Sequence, residues 1–287
     1  MAIKGFKAYE KGMKCKGFQY EEWKEYQTDK PFKLCESGFH FCENPLDILN
    51  YYDLIGSDFS EVEAIGEVTD KKEDDTKRAT THIKIGVKLY LPALIKASVD
   101  FLFQSCKIEN KDNASSGYYS QHASSGDNSQ HASSGDNSQH ASSGYNSKHA
   151  SSGDYSQHAS SGDNSKHASS GYNSQHASSG DNSQHASSGN NSKHASSGNN
   201  SKHASSGNNS KHASSGYNSK HEANGENNVV AAIGAGSQIK GKIGTWITLA
   251  EYGKDGKCIC VKSARIDGKR IKADIFYVLK NKKLVKA

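Results

Sequence analysis

Residues 114–140 read ASSGYYSQH ASSGDNSQH ASSGDNSQH, and this nine-residue phrase decides the fold. ASSG begins at Ala114 and returns every nine residues as far as Ala213, giving twelve copies of A-S-S-G-[DYN]-[NY]-S-[QK]-H. So short a period implies stacked coils, in which each strand lies on its equivalent in the next coil and identical side chains form ladders about 4.8 Å apart. Nine residues are too few to close a coil around side chains, so two repeats per coil are expected. The reading is a parallel β-solenoid with its strand at S-Q/K-H-A-S. Its corner falls at the repeat glycine (Gly117, Gly126 and onward), where positive φ is cheap.

Which face points inward follows from variation. Gln and Lys exchange freely at the eighth position, so that position belongs outside. Period-two alternation then places Ala and the second Ser of ASS outside as well, with the seventh-position Ser, His and the first Ser inside. Where the repeat decays, Ile239 falls in the His position and Ser237 in the Ser position. A rival apolar set, Val229, Ala231 and Ile233, has the opposite register, and a one-residue slip would exchange the faces.

With two repeats per coil the histidines form two ladders. One is His122, His140, His158, His176, His194 and His212; the other is His131, His149, His167, His185, His203 and His221. Buried imidazoles at this spacing stay neutral, because like charges about 5 Å apart repel, and they can bond to neighbouring serine hydroxyls. An inward ladder predicts acid unfolding between pH 7 and 5. An outward one would instead offer ligands to transition metals. One glycine and a frequently replaced Asp do not make the G-G-x-G-x-D calcium pattern.

Outward from the repeats, composition splits the chain. Hydrophobic residues make up 33% of its 287 residues, and the repeats contribute only alanine as an aliphatic, so the two ends must hold the ordinary cores. The expected organisation is an α+β domain over 1–112, the solenoid over 113–243 and a small β capping region over 244–287. The formal charge of +5 is spread among acids, which argues against nucleic acid. Six cysteines (15, 35, 42, 106, 258, 260) and an opening MAIKGFKAYEKG without an apolar leader fit free thiols in a reducing cytosol. No stretch reaches the roughly 20 apolar residues of a membrane span, and nothing calls for a cofactor.

In the N-terminal part, strands are expected at 3–9, 18–23, 39–41, 61–68 and 82–89. A helix is expected from the Asn44-Pro45 cap through Leu46, Ile48, Leu49 and Tyr52, and a second over 91–104 with apolar residues at 91, 94, 95, 99 and 102. The charge run Asp70 to Arg78 reads as a solvated loop. Three C-terminal strands are expected at 245–252, 257–266 and 271–279, covering the open end of the coil. Cys15, Cys35, His40 and Cys42 have the ligand types of a structural zinc site, but their spacing matches no standard knuckle. No catalytic residue is assigned.

Three resemblances add to this. K-G-F-K-A-Y (4–9), C-K-G-F-Q-Y (15–20), C-E-S-G-F-H-F-C-E-N-P-L-D-I-L-N-Y-Y (35–52), G-T-W-I-T-L-A-E-Y (244–252) and I-K-A-D-I-F-Y (271–277) resemble an uncharacterised family of phage and prophage proteins that carry Ala/Ser/Gly repeats in variable number. That implies a viral context and no particular activity. The repeats are similar to the β-roll heads of trimeric autotransporter adhesins. Gly38-Phe39-His40-Phe41 followed by Tyr51-Tyr52, with Glu61 and Glu63 later, resembles the ADP-ribosyltransferase arrangement, yet residues 3–9 lack the His or Arg such enzymes need.

The sequence therefore points to a phage-encoded, non-enzymatic binding or scaffold protein in the host bacterial cytoplasm. Its partner would be a host or phage protein, for instance a bacterial defence complex that it blocks. Tyr118, Tyr119, Tyr145, Tyr155, Tyr172 and Tyr217, the large side chains of the rod, are the contact candidates. One alternative is a transferase using a cleft of His40, Tyr51, Tyr52 and Glu63. The other is a virion fibre or decoration protein, which would be a homo-oligomer.

Overall fold

The computed structural model describes residues 2–29, 36–71, 75–108 and 114–287. They divide into two compact units, Met1–Phe101 and Leu102–Ala287.

The first unit is built on an antiparallel sheet. Its strands are β1 (Ile3–Glu10), β2 (Lys14–Cys15), β3 (Phe18–Gln19), β4 (Glu25–Gln27), β5 (Phe39–Cys42), β6 (Ser57–Ala64), β7 (Lys77–Thr80) and β8 (His82–Leu89). The order runs β3-β2-β1-β6-β8-β4, with β5 joining β1 to β7. Tyr9, Phe41, Val62, Ala64, Ile83 and Ile85 form its core, and the Tyr9 hydroxyl bonds Ser60 Oγ at 2.8 Å. Helix α1 (Leu91–Ile108) begins beside Pro92 and buries Leu94, Ile95, Val99 and Leu102, the expected stripe.

Four expectations change here. The helix after Asn44 is a single 3-10 turn, Asp47–Asn50. Asn44 Oδ1 accepts from the Leu46 amide at 3.0 Å, but the buried Asp47 carboxylate is held by the amide and hydroxyl of Thr76, which fixes a turn where a longer helix was expected. The charge run is not wholly a solvated loop. Arg78 and Lys71 converge on Glu43 at 2.6 and 2.8 Å, and Lys77 and Arg78 open a strand. The strand expected at 61–68 lies at Ser57–Ala64, and the one expected at 18–23 stops at Gln19.

The second unit is a parallel β-solenoid of two repeats per turn. Every rod strand pairs in parallel with the strand 18 residues on, as Gln139↔Gln157, His140↔His158, Ala141↔Ala159 and Ser142↔Ser160. One sheet carries the strands from Gln121–Ser124 to Lys211–Ser214, and the other those from Gln130–Ser133 to Lys220–Ala223. Both continue past the repeats. Val229–Ala232 and Trp246–Tyr252 extend the first sheet and Gln238–Gly241 the second, and each is then closed by antiparallel strands: Cys258–Arg265 on the first, Tyr277–Lys280 and Lys283–Lys286 on the second. The residues after 243 thus complete the coil and belong to its unit.

The corner is made differently from the sequence reading. None of the repeat glycines has positive φ. That conformation falls on the sixth position, at Asn128 (φ 58°), Asn137 (φ 57°) and their equivalents, and at Tyr119 and Tyr155. Asn tolerates the left-handed region. The glycine is required for another reason: a Cβ on Gly171 would overlap the carbonyl of Gly153 in the neighbouring coil.

The fifth position ties the coils together. Asp127 Oδ1 accepts from the Tyr145 amide, Asp163 Oδ1 from the Asp181 amide and Asn208 Oδ1 from the Glu226 amide, each at 2.7–2.8 Å across 18 residues.

Candidate functional site

The interior of the rod is lined by histidine and serine. His131 and the histidines after it are buried, as are the first serines of ASS from Ser133 and the seventh-position serines from Ser138. Within a ladder the rings from His131 to His212 stack in parallel, 4.9 Å apart for His140 and His158 and 4.8 Å for His149 and His167, while His122 and His221 at the ends meet their neighbours edge to face. Across the interior they meet edge to face, 5.7 Å apart for His158 and His167. In seven rings (His158, His167, His176, His185, His194, His212 and His221) Nε2 bridges the two sheets to a serine seven residues earlier, as His158 to Ser151 at 3.0 Å, His176 to Ser169 at 2.8 Å and His221 to Ser214 at 2.7 Å. The Nε2 atoms of His131, His140, His149 and His203 have no partner.

The Nδ1 atoms of these rings have no partner. A buried lone pair costs less than a buried N–H, so the proton belongs on Nε2, which donates to the serine. Burial, with repulsion from neighbouring histidines where they contribute, holds these imidazoles below their ordinary pKa of 6.5. His131 falls to about 4, His185 and His212 to about 3, and His158 and His176 well below 6.5. The ladders are neutral at pH 7.

Two triads, His167-His176-His185 and His194-His203-His212, bring potential ligand atoms within 4.8 Å of one another. Successive rings of one ladder, with centroids 4.6–4.8 Å apart there, stand wider than the ~4.2 Å that two nitrogens on one zinc can span. Each triad draws on both ladders. Ring stacking and the serine bonds make the array a packing ladder of the rod interior.

The outward residues of the first sheet form three exposed rows: Gln121 to Lys211, Ala123 to Ala213, and Ser125 to Ser215. Past the repeats the first sheet carries exposed apolar side chains, Val229, Ile233, Trp246 and Val261, of which Val229 and Trp246 are paired neighbours. The rival register at Val229 and Ile233 is resolved by Val230 and Ala232 pointing inward in their place. All six rod tyrosines are exposed at the corners, and Tyr155 and Tyr172 meet edge to face at 6.2 Å.

The N-terminal unit has a cleft of about 490 Å³ beside β1 and β5. His40, Tyr51 and Tyr52 line it. Glu63 does not, since it sits on β6 opposite Lys4 of β1 and Lys84 of β8. The Tyr52 hydroxyl bonds Cys15 Sγ at 3.1 Å, and burial pushes its pKa up. Tyr51 donates to Asp75 at 2.5 Å, with Lys77 Nζ 3.7 Å from the centre of its ring. Cys15, His40 and Cys42 share the lining but form no metal-ligand group among the described residues; Cys35 lies outside those residues.

The sequence reading missed Lys7, which is buried beneath this cleft with its Nζ on the His40 carbonyl at 2.9 Å. In sequence it reads as one more basic residue of an exposed strand.

The class defined by these features is a two-sided nonapeptide β-solenoid joined to a mixed N-terminal domain. Residues 3–97 match a family described as Domain of unknown function (DUF7666). No curated protein and no solved structure matches the chain. No helix among the described residues is long and apolar enough to cross a membrane.

Proposed function

We propose that the protein is a phage-encoded, non-enzymatic binding scaffold that presents the outward face of the first rod sheet to a protein of the bacterial host, such as a defence complex that it blocks. The observation that carries the reading is the unbroken exposure of the three rows from Gln121 to Ser215, followed by the exposed apolar pair Val229 and Trp246. Contiguous exposed apolar surface rimmed by polar groups suits a protein interface. The phage context comes from the resemblance at both ends of the chain. The dispersal of Glu63 from His40, Tyr51 and Tyr52 weakens the transferase alternative.

The test is a pull-down from bacterial host lysate with the native chain and with the double substitution Ala159→Arg and Ala177→Arg, whose side chains are exposed. A stoichiometric, unmodified partner that is captured by the native chain and lost by the variant is the expected result. A partner captured equally by both, a covalently modified partner, or recovery of the protein only in purified virions would overturn it, the last two in favour of the transferase and the fibre.

A further inference from the structure

Lys7 is 5% exposed. Of its three N–H donors one is satisfied, by the His40 carbonyl. Its ammonium stands 5.1 Å from the centre of the Tyr20 ring and 5.5 Å from that of Tyr9. Among the described residues no carboxylate pairs with it. The ionisable groups acting on it are the thiols of Cys15 and Cys42 and the ammonium of Lys77, and burial pushes the amine down from its ordinary pKa. A buried ammonium without a counter-charge costs several kcal/mol, and ring faces offset only part of that.

The surroundings indicate what would relieve it. The cleft volume lies within the roughly 300–1,000 Å³ of small-molecule sites. Among the described lining residues Lys16 and Lys77 add two cations against one acid, Glu36, while Phe18, Tyr20 and Tyr52 supply ring surface. Cations along a low-dielectric wall concentrate anions. We propose that this cleft binds a small organic anion carrying a planar ring, an aryl phosphate or carboxylate, whose charged group meets Lys7 and whose ring lies among the aromatic side chains.

The full-length protein is titrated by calorimetry with phenyl phosphate, adenosine 5′-monophosphate, benzoate, inorganic phosphate and neutral benzyl alcohol. At least one ring-bearing anion is expected to bind about tenfold or more tightly than both inorganic phosphate and benzyl alcohol. Lys7→Met, which keeps the side-chain volume and removes a buried charge, is expected to melt no lower than the native chain without ligand and to lose about tenfold or more in affinity. Phe18→Ser, at an exposed position of the lining, is expected to weaken the ring-bearing anion and leave inorganic phosphate unchanged. Absence of binding by every anion at millimolar concentration, or equal affinity in the native and Lys7→Met proteins, overturns the proposal.

Discussion

From His131 to His221 the inward positions of the rod hold histidine and serine, whereas from Val230 onward the histidine positions and their neighbours hold Val230, Ala232, Ile239, Ile247 and Leu249, joined by Ile266 and Tyr277, with Ser237 and Thr245 kept at the serine position. The register does not change at the junction: His212 pairs with Val230 and His221 with Ile239. The backbone coil is therefore independent of the chemistry of its filling. It needs groups of suitable size on a frame set by the strand ladders, the glycine contacts and the corner tethers. The filling decides how the coil responds to its surroundings, since the apolar end has nothing to titrate while the repeats carry closely stacked bases.

The largest expected effect is acid melting confined to the histidine-filled coils. Unfolded imidazoles titrate near 6.5, and the folded ones lower, at about 4 for His131 and about 3 for His185 and His212. The unfolded chain takes up protons first. The stabilisation is complete above pH ~6.5 and falls as pH drops toward the folded values, by on the order of 2 kcal/mol per histidine at pH 5. Summed over the ladders, that exceeds the ~5–15 kcal/mol stability of a typical domain. Circular dichroism should show the rod's melting temperature collapsing between pH 7 and 5, with the Tyr277 environment lost last. An unchanged melting temperature would place the histidines outside a dry core.

A smaller effect should follow from carrying the polar filling into the apolar end. Ile239→His buries an imidazole among Val230, Ile247 and Tyr277 and should cost about 2 kcal/mol at neutral pH, measured by urea unfolding. It should also raise the pH at which this end melts. No change in either quantity would mean the two fillings are interchangeable.

The smallest effect tests the frame alone. Asp163→Ala removes the bond to the Asp181 amide and should cost about 1 kcal/mol. Tyr145→Ala, at a fifth position whose side chain makes no such bond, should cost less in the same assay. Equal losses would shift the role from the tether to local packing.

The rod was legible because repetition removes ambiguity. Exchange of Gln and Lys at the eighth position and Ile239 at a His position favoured inward histidine, while Val229, Ala231 and Ile233 left the opposite register open. The role of glycine was not legible, because positive φ and close backbone approach both select a missing Cβ, and only the coil-to-coil spacing separates them. The N-terminal cleft was half legible. His40, Tyr51 and Tyr52 were expected together, but Lys7, Ala8 and Tyr9 are buried in succession, and a strand covered on both faces carries no alternation to reveal a buried lysine.

Pairing at 18 residues makes each nine-residue unit half a turn. Copy number in such a chain therefore has parity. Gain or loss of two units moves the apolar end along the axis by about 4.8 Å and returns it to the same side. Gain or loss of one unit turns that end by half a revolution and hands the Trp246 strand to the opposite sheet. Duplication and deletion in even steps would adjust reach and leave orientation alone, and odd steps would reverse which side of the rod carries the exposed tryptophan.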